Sequence, residues 1–234
     1  MQGKLYLVAT PIGNLEDITL RALKVLKEVD IVAAEDTRNT LKLLNHFEIS
    51  KKLISYHRHN EDVKKDELIN YLKEGKNIAL VSDAGTPCIS DPGEEIVKEA
   101  IKEKIEIVPI PGACALITAL ISSGLDCKEF TFIGFLPLNK KLRKEKLSEI
   151  ENETKTVILY EAPHKLKTTL EDLEKVVQER EVVLAKELTK IHETYTRGTA
   201  KELLNNIQEV RGEYVIVIEA AKEKKELKQE QLLS

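Results

Sequence analysis

Nowhere in this sequence does an apolar run reach the roughly 18 to 20 residues that a membrane-spanning helix needs. The amino terminus, Met1-Gln2-Gly3-Lys4-Leu5, lacks the apolar core of a secretory leader, so a cytoplasmic protein is expected. Cysteine is scarce. Cys88, Cys114 and Cys127 are odd in number and far apart, with no CxxC pair and no Cys/His cluster, which argues against a disulfide framework or a structural zinc site. All three are expected to be small, partly buried residues that pack rather than react. Two nucleotide signatures are missing as well: there is no GxGxxG and no GxxxxGK[ST], so Rossmann dinucleotide and P-loop readings lose their support. Positive charge is not in excess either. The net charge is −4, whereas nucleic-acid-binding domains are usually basic. A local patch can still serve, and the best one is Asn139–Lys146, with Lys140, Lys141, Arg143, Lys144 and Lys146 against Glu145. The same run also reads as an ordinary solvated helix face.

What is present is a globular pattern of 234 residues, 42% hydrophobic and 32% charged, long enough for one large domain or two modest ones. From Lys4 to about Ser123 short apolar runs alternate with helical segments. Strands are expected at Leu5–Ala9, Ile31–Ala34, Leu53–Ser55, Ile78–Val81 and Ile105–Ile110. Helices are expected at Thr19–Lys27, Thr37–His46, about Glu61–Lys73, about Gly93–Lys102, and from the Pro111-Gly112 turn to Ser123. Continuous apolar strands separated by helices predict a mostly parallel, doubly wound α/β sheet covered on both faces. After Gly124-Leu125-Asp126 the pattern restarts, with strands at Phe130–Phe135, Thr156–Tyr160, Glu181–Ala185, near Thr194–Arg197, and at Tyr214–Ile218. Their short links predict a mixed sheet with antiparallel members. The expected division is an N-terminal α/β domain over 1–125, a C-terminal α/β domain over 126–221, and a charged tail over 222–234.

Four loops, each following an expected strand, are too irregular to be packing alone. In a doubly wound sheet such loops gather at the carboxyl edge, where ligands bind. In Thr10–Leu15, Pro11 and Gly13 make a sharp turn that lets backbone approach a ligand closely. In Ala34–Arg38, Asp36 reads as a cap of the following helix, which leaves Glu35 and Arg38 without a structural role. The third loop, Tyr56–Glu61, holds His57, Arg58, His59 and Asn60. A third ligand that would complete a metal site is lacking, and RNA contact through Arg and stacked rings is the stronger reading. The fourth, Val81–Gly93, packs two glycines, two prolines, two aspartates and two serines into a long shaped loop containing Asp83, Ala84, Gly85 and Thr86. The turn Pro111-Gly112-Ala113-Cys114-Ala115 then opens a helix rich in small side chains.

The strings VATPIGNLEDITLRA, AEDTR, YHRHNE, VSDAGTPCISDPG, PGACA, FIGFLP, YEAPHK and KELTKIHE occur in this order between about Lys4 and Glu219. Together they resemble the tetrapyrrole-methylase superfamily and, within it, the ribosomal RNA small-subunit methyltransferase I family. The resemblance implies two α/β domains with S-adenosylmethionine in the cleft between them. It further implies 2′-O-methylation of a cytidine in the decoding region of 16S rRNA, carried out by a homodimer on 16S rRNA or the small ribosomal subunit, with neither metal nor membrane. The cofactor would lie on Pro11, Gly13, Asp83-Ala84-Gly85-Thr86, Gly112-Ala113-Cys114-Ala115 and Tyr160. RNA would contact His57, Arg58, Asn60, Lys140, Lys141 and Arg143. Catalytic candidates are Glu35, Asp36, Arg38, Glu161, His164, Lys186 and Glu187, and Lys186-Glu187 also reads as a structural ion pair at a strand end. Cys114 stands where the family commonly has Ser, and Lys165 where it commonly has Arg, which keeps the charge but loses a bidentate fork. A C-terminal helical extension carried by many relatives is not expected here. Two rivals stay open: tetrapyrrole C-methylation on the same scaffold, and a catalytically silent RNA-binding assembly protein.

Overall fold

A computed structural model describes residues 1–207 and 210–222, so the charged tail expected over 222–234 lies, but for Lys222, outside the described residues. The chain divides into two compact units, Met1–Cys114 and the part from Ala115 onward. The first unit is a parallel sheet of β1 (Leu5–Val8), β2 (Ile31–Ala34), β3 (Lys52–Ser55), β4 (Ile78–Val81) and β5 (Ile107–Ile110), in the order β3-β2-β4-β1-β5. The inner strands β2 and β4 are apolar and buried throughout because both faces of the sheet are covered there, while the edge strands β3 and β5 are partly exposed. Leu5, Ile78 and Leu80 point into a core shared with α3 (Glu61–Lys73) and α4 (Glu94–Lys102). Val8, Ala79 and Val81 point to the opposite core, built with α1 (Leu20–Glu28) and α2 (Thr37–His46).

Capping follows the sequence closely. Thr19 accepts the Ala22 N–H at the start of α1, and Asp36 accepts the Arg38 N–H at the start of α2. The strand order has a functional consequence. β4 sits between β1 and β2, and the chain leaves β4 toward one face but leaves both neighbours toward the other. The loops after β1, β2 and β4 therefore meet at the carboxyl edge, the place in a doubly wound sheet where ligands bind.

The second unit is a mixed sheet, β6 (Phe130–Phe135), β7 (Thr156–Glu161), β8 (Val182–Lys186), β9 (Thr194–Gly198) and β10 (Tyr214–Ile218), ordered β6-β7-β10-β8-β9. Only β6 and β7 pair in parallel; β10 runs antiparallel to both β7 and β8. One face carries Val157, Leu159, Leu184 and Ile216 against α6 (Lys140–Asn152), α7 (Leu166–Val177) and α8 (Ala200–Asn206). The other face packs on α5 (Ala115–Ser123), which contacts β7, β8 and β10. That packing is why α5 groups with the second sheet, whereas the change of pattern in the sequence falls later, near Asp126. Arg197 fixes the end of α5: its Nε and Nη2 donate to the carbonyls of Ser123 and Ser122 at 3.1 and 2.6 Å, where the helix leaves them without partners.

Candidate active site

In the first unit three loops are knotted together at the carboxyl edge. The N–H and C=O groups of Thr10, after β1, exchange two hydrogen bonds with Gly85, after β4, at 2.9 and 3.0 Å. Thr86 then donates its hydroxyl to the Ala113 carbonyl, after β5, at 3.1 Å. Gly85 has φ +84, a left-handed conformation that favours glycine, and a Cβ there would come 3.0 Å from Ile12 Cγ2. A Cβ on Gly112 would come 2.9 Å from the Ala9 Cβ. Both positions must therefore stay bare of side chain for the three loops to pack together, and Gly85 is buried among them. Gly13, Ala84 and Gly112 are exposed, while Pro11, Thr86, Ala113 and Cys114 are half-buried.

Beside it lies an acidic corner formed by the loops after β2, β3 and β4. Asp36 is committed to Arg38, whose guanidinium it grips at 2.6 and 3.0 Å, and this holds the Asp36 carboxyl down to about 2. Asp83 joins the β4 loop to α2: its two oxygens accept the Asp36 N–H at 3.0 Å and the Asn39 amide at 3.1 Å. Glu35 receives only a long hydrogen bond, 3.5 Å from the Asp83 N–H. Burial, aided by the Asp83 charge, raises its carboxyl above the usual range, against the opposing pull of Arg58 and His57.

Asp91 belongs to the same corner. Burial, reinforced by Glu35, pushes it up to about 6, although Ser82 hydrogen-bonds it and Arg58 pulls the other way. Asp91 is not among the site residues expected from the sequence. Its only signal was a second aspartate in the long loop, in a Ser-Asp-Pro-Gly string that by itself reads as a turn.

The loop after β3 behaves in part as a structural element. Asn60 accepts the His57 N–H at 2.8 Å and donates to the Ser55 carbonyl at 3.2 Å, so it shapes the turn. Arg58 donates to the Ser90 carbonyl, tying this loop to the one after β4. Tyr56 is fully buried in the core against α3 and α4, so its ring is not available to stack on a base. His57 Nδ1 is buried without a hydrogen-bond partner. Of the cysteines, none forms a disulfide; Cys88 and Cys114 are half-buried as expected, whereas Cys127 is exposed. Burial pushes the Cys88 thiol up to about 11, which leaves it protonated and unreactive at neutral pH.

In the second unit Tyr160 stands at the end of β7. Its hydroxyl accepts the Leu116 N–H at 3.2 Å, and its ring meets Phe132 and Phe135 edge-on at 4.9 and 5.8 Å. Glu161 is buried, accepting the Ala162 N–H at 2.9 Å and the Thr169 hydroxyl at 2.5 Å. His164 is exposed on the single 3-10 turn Pro163–Lys165. Lys186 lies 5.9 Å from the Tyr214 ring. Glu187 accepts from Lys190 Nζ and the Glu213 N–H, both at 2.9 Å, and the Lys190 hydrogen bond is the main reason its carboxyl is held below the usual range. Its ion pair is thus with Lys190. Lys140 and Lys141 are exposed on the first turn of α6, but Arg143 is not, with 15% of its side chain accessible and its guanidinium turned toward α7. Among the described residues no group of three or more His, Cys, Asp or Glu could hold a metal ion, and no helix is long and apolar enough to cross a membrane.

A doubly wound parallel sheet followed by a mixed five-stranded one, with a glycine-kept corner at the first carboxyl edge, defines a methylase of the tetrapyrrole class. Residues 4–204 match the family described as Tetrapyrrole (Corrin/Porphyrin) Methylases. Solved structures agree on the fold. A diphthine synthase superposes with a TM-score of 0.70 at 15% identity, covering 97% of this chain and 94% of its own. The uroporphyrin-III C-methyl transferase of Thermus thermophilus complexed with S-adenyl homocysteine gives 0.66 at 17% identity, covering 93% and 97%.

Sequence relatives are nearer. Ribosomal RNA small subunit methyltransferase I of Halalkalibacterium halodurans is 54% identical over 227 residues, 96% of this chain and 78% of the relative. The same-named protein of Bacillus subtilis is 50% identical over 221 residues, covering 94% and 76%. The chain belongs to the ribosomal RNA small subunit methyltransferase I family.

Proposed function

We propose that this protein transfers the methyl group of S-adenosylmethionine to the ribose 2′-hydroxyl of a cytidine in the decoding region of 16S rRNA. Family membership supports the enzyme class and the RNA. The observation that carries the reading is the knot of the β1, β4 and β5 loops, in which two glycines let the loops pack closely and leave Gly13, Ala84 and Gly112 exposed beside one another. Such a corner suits a ligand recognised through peptide N–H and C=O groups. Gly85, Thr86, Gly112 and Ala113 would hold the cofactor there. When bound, the cofactor supplies an electrophilic methyl group on a sulfonium, so the transfer is a displacement that needs no metal.

The protein's share is to orient the acceptor hydroxyl and accept its proton. Orientation in well-built sites is worth about 7 to 11 kcal/mol. Among the polar candidates, commitments elsewhere favour Glu35 as the proton acceptor. Asp36 is gripped by Arg38, Glu187 by Lys190, and Glu161 is buried between two donors. Glu35 has one long hydrogen bond and a raised affinity for a proton, both of which suit a general base.

The test joins calorimetric titration with S-adenosylmethionine to methyl incorporation into small-subunit RNA and, separately, uroporphyrinogen. Binding with incorporation into the RNA alone is expected, and Gly112→Ala, whose Cβ crowds Ala9, should weaken binding at least about tenfold while costing only about 1–3 kcal/mol of stability, so that the protein stays folded by circular dichroism. Incorporation into uroporphyrinogen instead, or no binding at millimolar cofactor, would overturn the proposal.

A further inference from the structure

Five polar groups of the second unit form a chain in which every hydrogen bond has only one possible direction. Arg143 Nε donates to Asp172 Oδ2 at 2.9 Å, and Arg143 Nη2 donates to Thr169 Oγ1 at 2.9 Å. A guanidinium has donors and no acceptor, so it occupies a lone pair of the Thr169 oxygen and turns the hydroxyl proton away. That proton goes to Glu161, whose other oxygen accepts the Ala162 N–H. Thr169 is 0% exposed and Glu161 4%, so water does not compete for either link. A buried carboxylate needs its donors, and Arg143, bonded to the Thr169 oxygen from the other side, holds that hydroxyl in the position from which it reaches Glu161. Glu161 closes β7 directly after Tyr160, and Ala162 begins the turn that carries His164.

We propose that Arg143 is a positioning residue rather than an RNA contact: acting through the Thr169 hydroxyl, it sets Glu161 and thereby the Tyr160–His164 segment. The proposal deepens the methyl-transfer reading and rests on it for the consequence in catalysis. It divides the basic run of α6 into two roles. Lys140 and Lys141, exposed at the helix start, remain for phosphate, and Arg143 faces inward.

Three readouts on the full-length protein test it. The first is amide hydrogen exchange at Ala162. Protection should fall in Arg143→Gln and in Thr169→Val and be kept in Thr169→Ser, which retains the hydroxyl. The second is the salt dependence of binding to a small-subunit RNA fragment. A lost phosphate contact lowers the slope by about one. Lys140→Ala with Lys141→Ala should lower it, and Arg143→Gln should not. The third is methyl transfer. Arg143→Gln and Thr169→Val should each lower kcat about tenfold or more, and the double variant should be no worse than either alone, because both break one relay.

Unchanged Ala162 protection in Arg143→Gln, or a salt slope reduced by about one in that variant, overturns the proposal. Should the wild-type protein transfer no methyl to RNA, the functional reading fails while the exchange readout still decides the relay. Thr169→Ser guards against mere misfolding: if it behaves like Thr169→Val, the hydroxyl has no part and the proposal falls.

Discussion

Replacing Asp91 with Asn should make this protein more stable at neutral pH. The Asp91 carboxyl is raised from 3.8 to about 6 because its ionised form is half-buried and faces Glu35. A raised carboxyl pKa favours the protonated fold, so the associated stability is fully present below the unfolded-state value, near 4, and is lost as pH rises through about 6. At pH 7.5 and above, the ionised group therefore works against the fold. The shift corresponds to about 3 kcal/mol, and residual solvent contact with loss of the Ser82 hydrogen bond brings the expected gain in D91N to about 1–2 kcal/mol. In a chain of this length each kcal/mol moves the melting temperature by about 2–4 °C.

The measurement is urea unfolding by far-ultraviolet circular dichroism at several pH values from 4.5 to 8, since the sequence has no tryptophan to report by fluorescence. The variant should gain over wild type as pH rises from about 4.5 to 6.5 and hold a constant advantage above that. A difference between the two proteins that is flat across this range, or a variant less stable at pH 8, would refute the electrostatic account of this corner.

Glu35→Gln should lower kcat about a hundredfold or more while leaving S-adenosylmethionine affinity within about twofold, as read from single-turnover rates and calorimetry. In the wild type the rate should fall on acidification through a value above the usual carboxylate range, because the raised pKa places loss of the base form there. Gly93→Ala should cost about 2–4 kcal/mol by thermal unfolding, since Gly93 has φ +139 and a Cβ would lie 2.6 Å from Cys88 Sγ and 2.7 Å from Leu80 Cδ2. Arg197→Met should cost about 1 kcal/mol in urea unfolding by uncapping the last carbonyls of α5.

Much of the fold was legible because its signals are local. β4 and β10 are bounded by turn residues and apolar throughout, and α2 and α3 begin and end where the sequence predicts. The allegiance of α5 was not legible. Ala-Leu-Ile-Thr-Ala-Leu-Ile-Ser-Ser is apolar nearly all round, so nothing in it says which sheet it covers.

The site divides in the same way. The loops that hold Gly85 and Gly112 stood out in sequence by their density of glycine and proline, and Asp36 read as a cap. The orientations of Tyr56 and Arg143 were not legible, for opposite reasons. The tyrosine sits in a polar string yet points into the core, and the arginine sits in a basic run yet pairs with Asp172 a full segment away in the chain. Which way a side chain turns depends on partners that only the assembled fold brings near, and the same is true of Asp91, whose neighbours Glu35 and Arg58 come from two other loops.

The strand order of the first unit also governs how the chain can be made. Of the strands of this sheet β1 is synthesised first, yet its place is in the sheet's interior, where Leu5 pairs with Ile78 on one side and Ile107 on the other. Until both later strands have been synthesised, both of its edges remain open to mispairing. Contacts so distant in the chain make for slow folding and a nascent strand that needs shelter.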